Sequence, residues 1–177
     1  MKEDRSAGSK SIAENFELPS YNDIPDVGLF LKQVVRYIEK YSESAGLQPL
    51  TASMISNYVK KKIIANPVKK MYDRDQIAYL IFITFAKNAI QIEDMQTIFD
   101  MQKKKFGVRE SYEYFSRQMK ACILEVFGLP YDNCNSDDKK TLDTSPLFSE
   151  KALLKNICIT VAHKIYLEHC IRLCSGE

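Results

Sequence analysis

Glycine and proline are scarce in this sequence, at six residues each among 177. They punctuate the chain in only a few places, which disfavours a many-turned β fold and favours long helices. Long apolar runs are missing as well. The most apolar stretch, Ile77–Ala86, is about half of the roughly 20 residues that a membrane-spanning helix needs. It reads as a buried helix. Nor is there an excess of one charge. The formal net charge is +2, so any nucleic-acid site has to come from local clustering. Cysteine is present five times, as Cys122, Cys134, Cys158, Cys170 and Cys174, without a Cys-x-x-Cys pair. A disulfide framework wants an even count in a shorter, secreted chain. Reduced thiols in the cytoplasm are the expectation. The Met1–Ser11 segment is polar and lacks the apolar stretch of a signal peptide.

Catalytic chemistry finds little foothold. There are two histidines, and no phosphate-cradling Gly loop, nucleophile elbow or paired His/Glu metal motif. The expectation is therefore a protein that is not an enzyme and carries no cofactor. His163, Cys170 and Cys174 fall on one helical face by spacings of seven and four. Zinc favours such ligands, but a fourth ligand and the usual close pairs are missing. Cysteine is commonly a small buried apolar residue, so no metal is expected.

What is present is a helical pattern over most of the chain. Hydrophobic residues make up 45% and aromatics 11%, enough for a core. Residues 1–17 are polar, mostly acidic and expected to be disordered. Two prolines make Leu18–Asp26 an irregular lead-in. Apolar residues recurring at three and four predict helices over roughly 27–44, 52–62, 74–88, 92–105, 109–127 and 149–173. Thr51, Asp73 and Ser149 stand where N-caps belong. Residues 131–148 read as a polar loop, and no convincing strand pair is evident. The expected fold class is all-α. A head over 18–106 precedes a helical C-terminal lobe over 107–177, which would serve dimerisation or effector binding.

Charge is concentrated in the head. Residues 51–74 carry Lys60, Lys61, Lys62, Lys69, Lys70 and Arg74 against one acid, Asp73. Residues 1–26 carry six acids against Lys2, Arg5 and Lys10. Clustered cations suit phosphate, because each neutralised phosphate releases counterions. Lysines at a helix end also satisfy terminal carbonyls and the helix dipole, so charge alone leaves both readings open. The order of elements adds to it. A helix, a connection and a short second helix form a helix–turn–helix, whose second helix would enter the major groove. Asn57 can pair bidentately with adenine, and Thr51, Ser53 and Ser56 are adaptable donors and acceptors. Lys60, Lys61, Lys69, Lys70 and Arg74 would hold phosphates and set register.

The stretch Thr51–Ile83, TASMISNYVKKKIIANPVKKMYDRDQIAYLIFI, resembles the head of MerR-type regulators. The matching features are Tyr58, Ile63-Ile64, Pro67, Lys69-Lys70, Tyr72 and the helix from Arg74. The likeness continues into Ala89–Met101, where Ile92, Glu93, Asp94 and Met95 open the next helix. Three departures stand out. Ser56 and Asn57 replace the usual arginine and second aromatic, the wing is shortened and lacks its Asn-Gly turn, and the connection before Thr51 is longer. Over roughly 18–127 the chain is also similar to a family of uncharacterised bacterial proteins, known as a domain of unknown function with a MerR-like head. The resemblance implies a bacterial, cytoplasmic, sequence-specific DNA-binding transcriptional regulator. Its partner would be double-stranded DNA, bound by a homodimer, with no membrane association and an effector left unnamed. A protein-interaction adaptor that reuses the head, or a small-molecule sensor, is the alternative.

Overall fold

Apolar residues surround one helix on every side, and the rest of the chain packs around it. In this helix, α3 (Arg74–Ala86), ten residues from Gln76 to Ala86 are buried. Its start is fixed reciprocally. The Asp73 carboxylate accepts from the Gln76 backbone N–H at 2.8 Å, and the Gln76 side chain accepts from the Asp73 N–H at 2.9 Å. This capping box satisfies two backbone donors that the helix itself leaves open. Around α3, Phe82 and Phe85 meet Phe16, Phe99 and Phe115 with ring centroids 5.0–6.1 Å apart. Tilted and edge-on ring pairs of this kind add to area burial.

The computed structural model describes residues 12–131 and 149–175. The other main helices are α1 (Leu31–Ser44), α2 (Ala52–Lys60), α4 (Ile92–Lys103), α5 (Val108–Val126) and α6 (Glu150–Ser175). The protein is thus mostly helical, as the apolar spacing predicts. Helices α5 and α6 lie side by side in the same direction. Lys151 sits over Tyr114 near their starts, and Phe127 meets Tyr166 and His169 near their ends. The polar loop expected over 131–148 lies, from residue 132 onward, outside the described residues.

Four expectations need correction. A strand pair exists: β1 (Leu29–Phe30) is antiparallel to β2 (Met71–Tyr72), with Leu29 opposite Tyr72 and Phe30 opposite Met71. Consequently α1 starts at Leu31 rather than Val27. Helix α2 stops at Lys60, because Lys62 turns to φ 59°, outside the helical region. The packed chain also begins before residue 18. Residues 12–15 are helical, and Ala13 and Phe16 are fully buried. Burying Phe16 against Phe85 outweighs the polar character of its neighbours. Residues 1–11 lie outside the described residues.

The lead-in ties the two halves of the molecule together. The Tyr112 hydroxyl of α5 donates to the Pro19 carbonyl at 3.0 Å, and Tyr37 of α1 donates to the Asp23 carbonyl at 3.2 Å. Burial pushes both phenols above the ordinary tyrosine range. Replacing Phe16 with alanine is expected to lower stability by about 3–5 kcal/mol in urea unfolding. A change within about 0.5 kcal/mol, the surface value, would mean that this segment is not part of the core.

Candidate functional site

The basic segment divides into parts that point outward and parts already engaged. Helix α2 buries Ile55 and Tyr58. Ser53, Asn57 and Lys60 are exposed and follow at i, i+4 and i+7, so they share the opposite face. Thr51 spends its hydroxyl on the cap, accepting from the Met54 N–H at 3.2 Å. Ser56 donates to the Ala52 carbonyl at 2.9 Å. Both hydroxyls are used on the helix's own backbone, a local competition common for such residues. Lys61 pairs with Glu93 of α4 at 2.6 Å, and this hydrogen bond holds the Glu93 carboxyl below its ordinary range.

Arg74 is not an outward cation. Its Nε donates to the Ile24 carbonyl at 2.8 Å, and its guanidinium lies 5.5 Å from the Tyr21 ring centroid and 3.7 Å from Asp26. The planar guanidinium suits such a combined stacking and hydrogen-bonding role. Tyr21 in turn donates to Asp75. Burial and that hydrogen bond push the Tyr21 phenol up to about 12. Arg74 therefore clamps the lead-in to the start of α3. The side chain expected to hold phosphate thus already has these internal partners.

Lys69 and Lys70 form the tip of a tight hairpin. The Met71 N–H donates to the Val68 carbonyl at 2.9 Å, and the two residues bridge antiparallel. Both lysines have positive φ, 50° and 65°. That sign is what a type I′ turn demands, and Asn-Gly normally supplies it. Lysine pays roughly 1–3 kcal/mol for such a conformation unless its surroundings impose it. Here they do. Beyond the tip, Met71 and Tyr72 are paired with β1 and Tyr72 is buried. Before it, the Gln76 side chain donates to the Ala65 carbonyl at 2.8 Å. Two exposed lysines are thus held at the apex of a ribbon fixed on both sides.

A second set of groups positions α2. The connection from α1 turns at Gly46, whose φ of +66° favours glycine. Lys87, at the end of α3, donates to the carbonyls of Gln48 and Pro49 at 2.8 and 3.3 Å. Burial lowers the pKa of this ammonium. Sequence reasoning missed Lys87, because nothing local marks it as a clamp. It also missed Lys32 and Arg36, exposed at i and i+4 on α1, which border a groove with Ala52 at the start of α2. Their spacing was the available signal. Among the described residues, no group of three His, Cys, Asp or Glu side chains is placed to hold a metal ion, and no helix is long and apolar enough to cross a membrane.

These features define a mostly helical protein whose second helix and lysine-tipped ribbon present a basic surface. The chain belongs to the family described as Domain of unknown function (DUF1836), whose profile matches residues 19–116. The match includes the whole of the basic segment and ends within α5. No curated protein and no solved structure matches the chain.

Exchanging the tip for the preferred turn residues tests the strain directly. A Lys69→Asn, Lys70→Gly variant is expected to be more stable by about 1–2 kcal/mol in chemical unfolding. Unchanged or lower stability would show that the turn is not strained by its lysines.

Proposed function

We propose that this protein is a sequence-specific DNA-binding regulator with a MerR-like winged helix–turn–helix head, acting in a bacterial cytoplasm. The observation that carries the reading is the hairpin tip. Two lysines occupy positions that Asn-Gly would fill at lower cost, and both side chains are exposed. A sequence that keeps charge where folding disfavours it points to an anionic partner.

The order of elements supports the same reading. Helix α1, a fixed connection, α2 and the ribbon follow one another as in helix–turn–helix heads. In this reading α2 enters the major groove. Asn57 reads adenine, with Ser53 beside it as an adaptable donor and acceptor. Lys60, Lys69 and Lys70 hold phosphates, and Lys32 and Arg36 add contacts where the first helix crosses the backbone. Thr51 and Ser56 shape the helix and contribute less to readout than their residue types suggest. Lys61 reaches phosphate only by leaving Glu93, and Arg74 holds the lead-in to the start of α3. A homodimer would match a palindromic operator by its own two-fold symmetry.

One observation favours a second reading, an adaptor for proteins. Phe30 and Val68 flank the ribbon and are 53% and 72% exposed. Met71, the β2 partner of Phe30, bridges Val68 on its other side. An apolar row beside a lysine tip also fits an acidic amphipathic segment of a partner.

Fluorescence anisotropy with duplex fragments from around the gene, over a salt series, separates the two. The DNA reading predicts salt-dependent binding. In the Lys69→Asn, Lys70→Gly variant, affinity should fall on every duplex and the log–log salt slope should drop by about 2. Asn57→Ala should cost about 1–3 kcal/mol on the preferred duplex and little elsewhere. No salt-dependent binding at micromolar protein would refute the DNA reading. A stable protein partner recovered alongside that result would support the adaptor.

A further inference from the structure

A cleft of about 80 Å³ lies among α4, α5 and the start of α6. Its apolar walls are Phe106, Tyr114 and Leu154. Lys151 stands over both rings, 5.7 Å from the Phe106 centroid and 5.8 Å from that of Tyr114. Arg117 also lines the cleft, and among the described residues neither it nor Lys151 has a carboxylate within ion-pair distance. Two acids line it as well. Glu150 is already matched by Lys105 at 2.8 Å, which keeps its carboxyl below the ordinary range. Glu110 is exposed and without such a match among the described residues. The lining therefore offers two cations and one acid without an ion-pair partner among the described residues, the polar side chains of Gln102 and Ser111, and an aromatic floor.

The far end of α6 reaches the head. A Cβ built on Gly46 would lie 2.6 Å from Arg172 Nη2, so the Arg172 guanidinium rests against the α1–α2 connection. Lys151 and Arg172 are 21 residues apart on one helix, about 32 Å at 1.5 Å per residue. Between them, Leu154, Ile157, Cys158, Val161, Ala162 and Ile165 are buried. Close-packed helices of this kind shift as units rather than deforming locally. One end of α6 thus belongs to the cleft and the other touches the connection that sets the angle of α2.

We infer that the cleft binds a small apolar α-amino acid and that α6 relays its occupancy to the head. The carboxylate faces Arg117 and Lys151, the ammonium faces Glu110, and the side chain covers Phe106, Tyr114 and Leu154. Ligand capture and relay stand on these residues alone. Control of DNA affinity by the ligand rests on the function proposed above.

The test uses the full chain with L-phenylalanine and L-leucine as probes. 3-Phenylpropanoate lacks the ammonium and phenethylamine lacks the carboxylate, so both serve as controls. At about tenfold excess over its dissociation constant, a bound probe should raise Tm by about 3–6 °C. The controls should raise it less. Arg117→Gln should abolish the rise and leave the unliganded Tm unchanged. In a 15N–1H correlation spectrum the Gly46 amide should move when phenylalanine binds. In Arg172→Ala it should stay in place while the Tm rise persists.

Absence of a Tm rise with either amino acid would overturn the site. An equal rise in Arg117→Gln, or one of equal size with 3-phenylpropanoate, would do the same. A Tm rise with a stationary Gly46 amide would overturn the relay. None of these readouts contains DNA, so failure of the DNA reading cannot be mistaken for failure here.

Discussion

The burial of α3 on all sides is the constraint from which the rest follows. A helix with apolar residues around its whole circumference has no solvent face, so every other element must cover it. Phe16 covers it from the lead-in, Phe99 from α4 and Phe115 from α5. Its two ends then become anchor points. At the start, Gln76 fixes the connection that leads into the hairpin. At the end, Lys87 fixes the connection that leads into α2. The outward groups of the basic segment are therefore mounted on the most buried helix of the protein. Rigid mounting of this kind is what a recognition surface needs.

Within the basic segment, the cations have different fates for physical reasons. Arg74 has a planar, multiply donating head and is drawn into a stack on Tyr21 and a hydrogen bond to Ile24. Lys61 is a flexible point charge that meets Glu93 across α4. Lys69 and Lys70 sit exposed at a two-residue apex, and their backbone is held in the left-handed region. Counting charges along the sequence cannot separate these cases. The proposed DNA surface is smaller than the count of six cations suggests, and it gains Lys32 and Arg36 from α1.

Much of the fold was legible in the sequence. The three-and-four spacing of apolar residues located the helices, and Thr51, Asp73 and Ser149 accept from backbone N–H groups as caps should. Tyr58 is buried, as its place in the apolar pattern of α2 implies. The resemblance to an uncharacterised domain family is borne out, over 19–116 rather than the wider span read from the residues. Other features left no local trace. Two-residue strands are too short for an alternating pattern. Phe16 is a single apolar residue in a polar run, and only its distant partner Phe85 explains its burial. The signs of φ at Lys69 and Lys70 are imposed by the paired strands, against the preference of the residues themselves.

The central claim is that α2 and the hairpin tip act together as one recognition surface for duplex DNA. Its most direct test is a map of backbone amide shifts as a cognate-length duplex is added to the full protein. The account predicts that the largest changes fall on Ser53, Asn57, Lys60 and Val68–Met71, with α5 amides little affected. Changes confined to α5 and α6, or none on the hairpin, would contradict it.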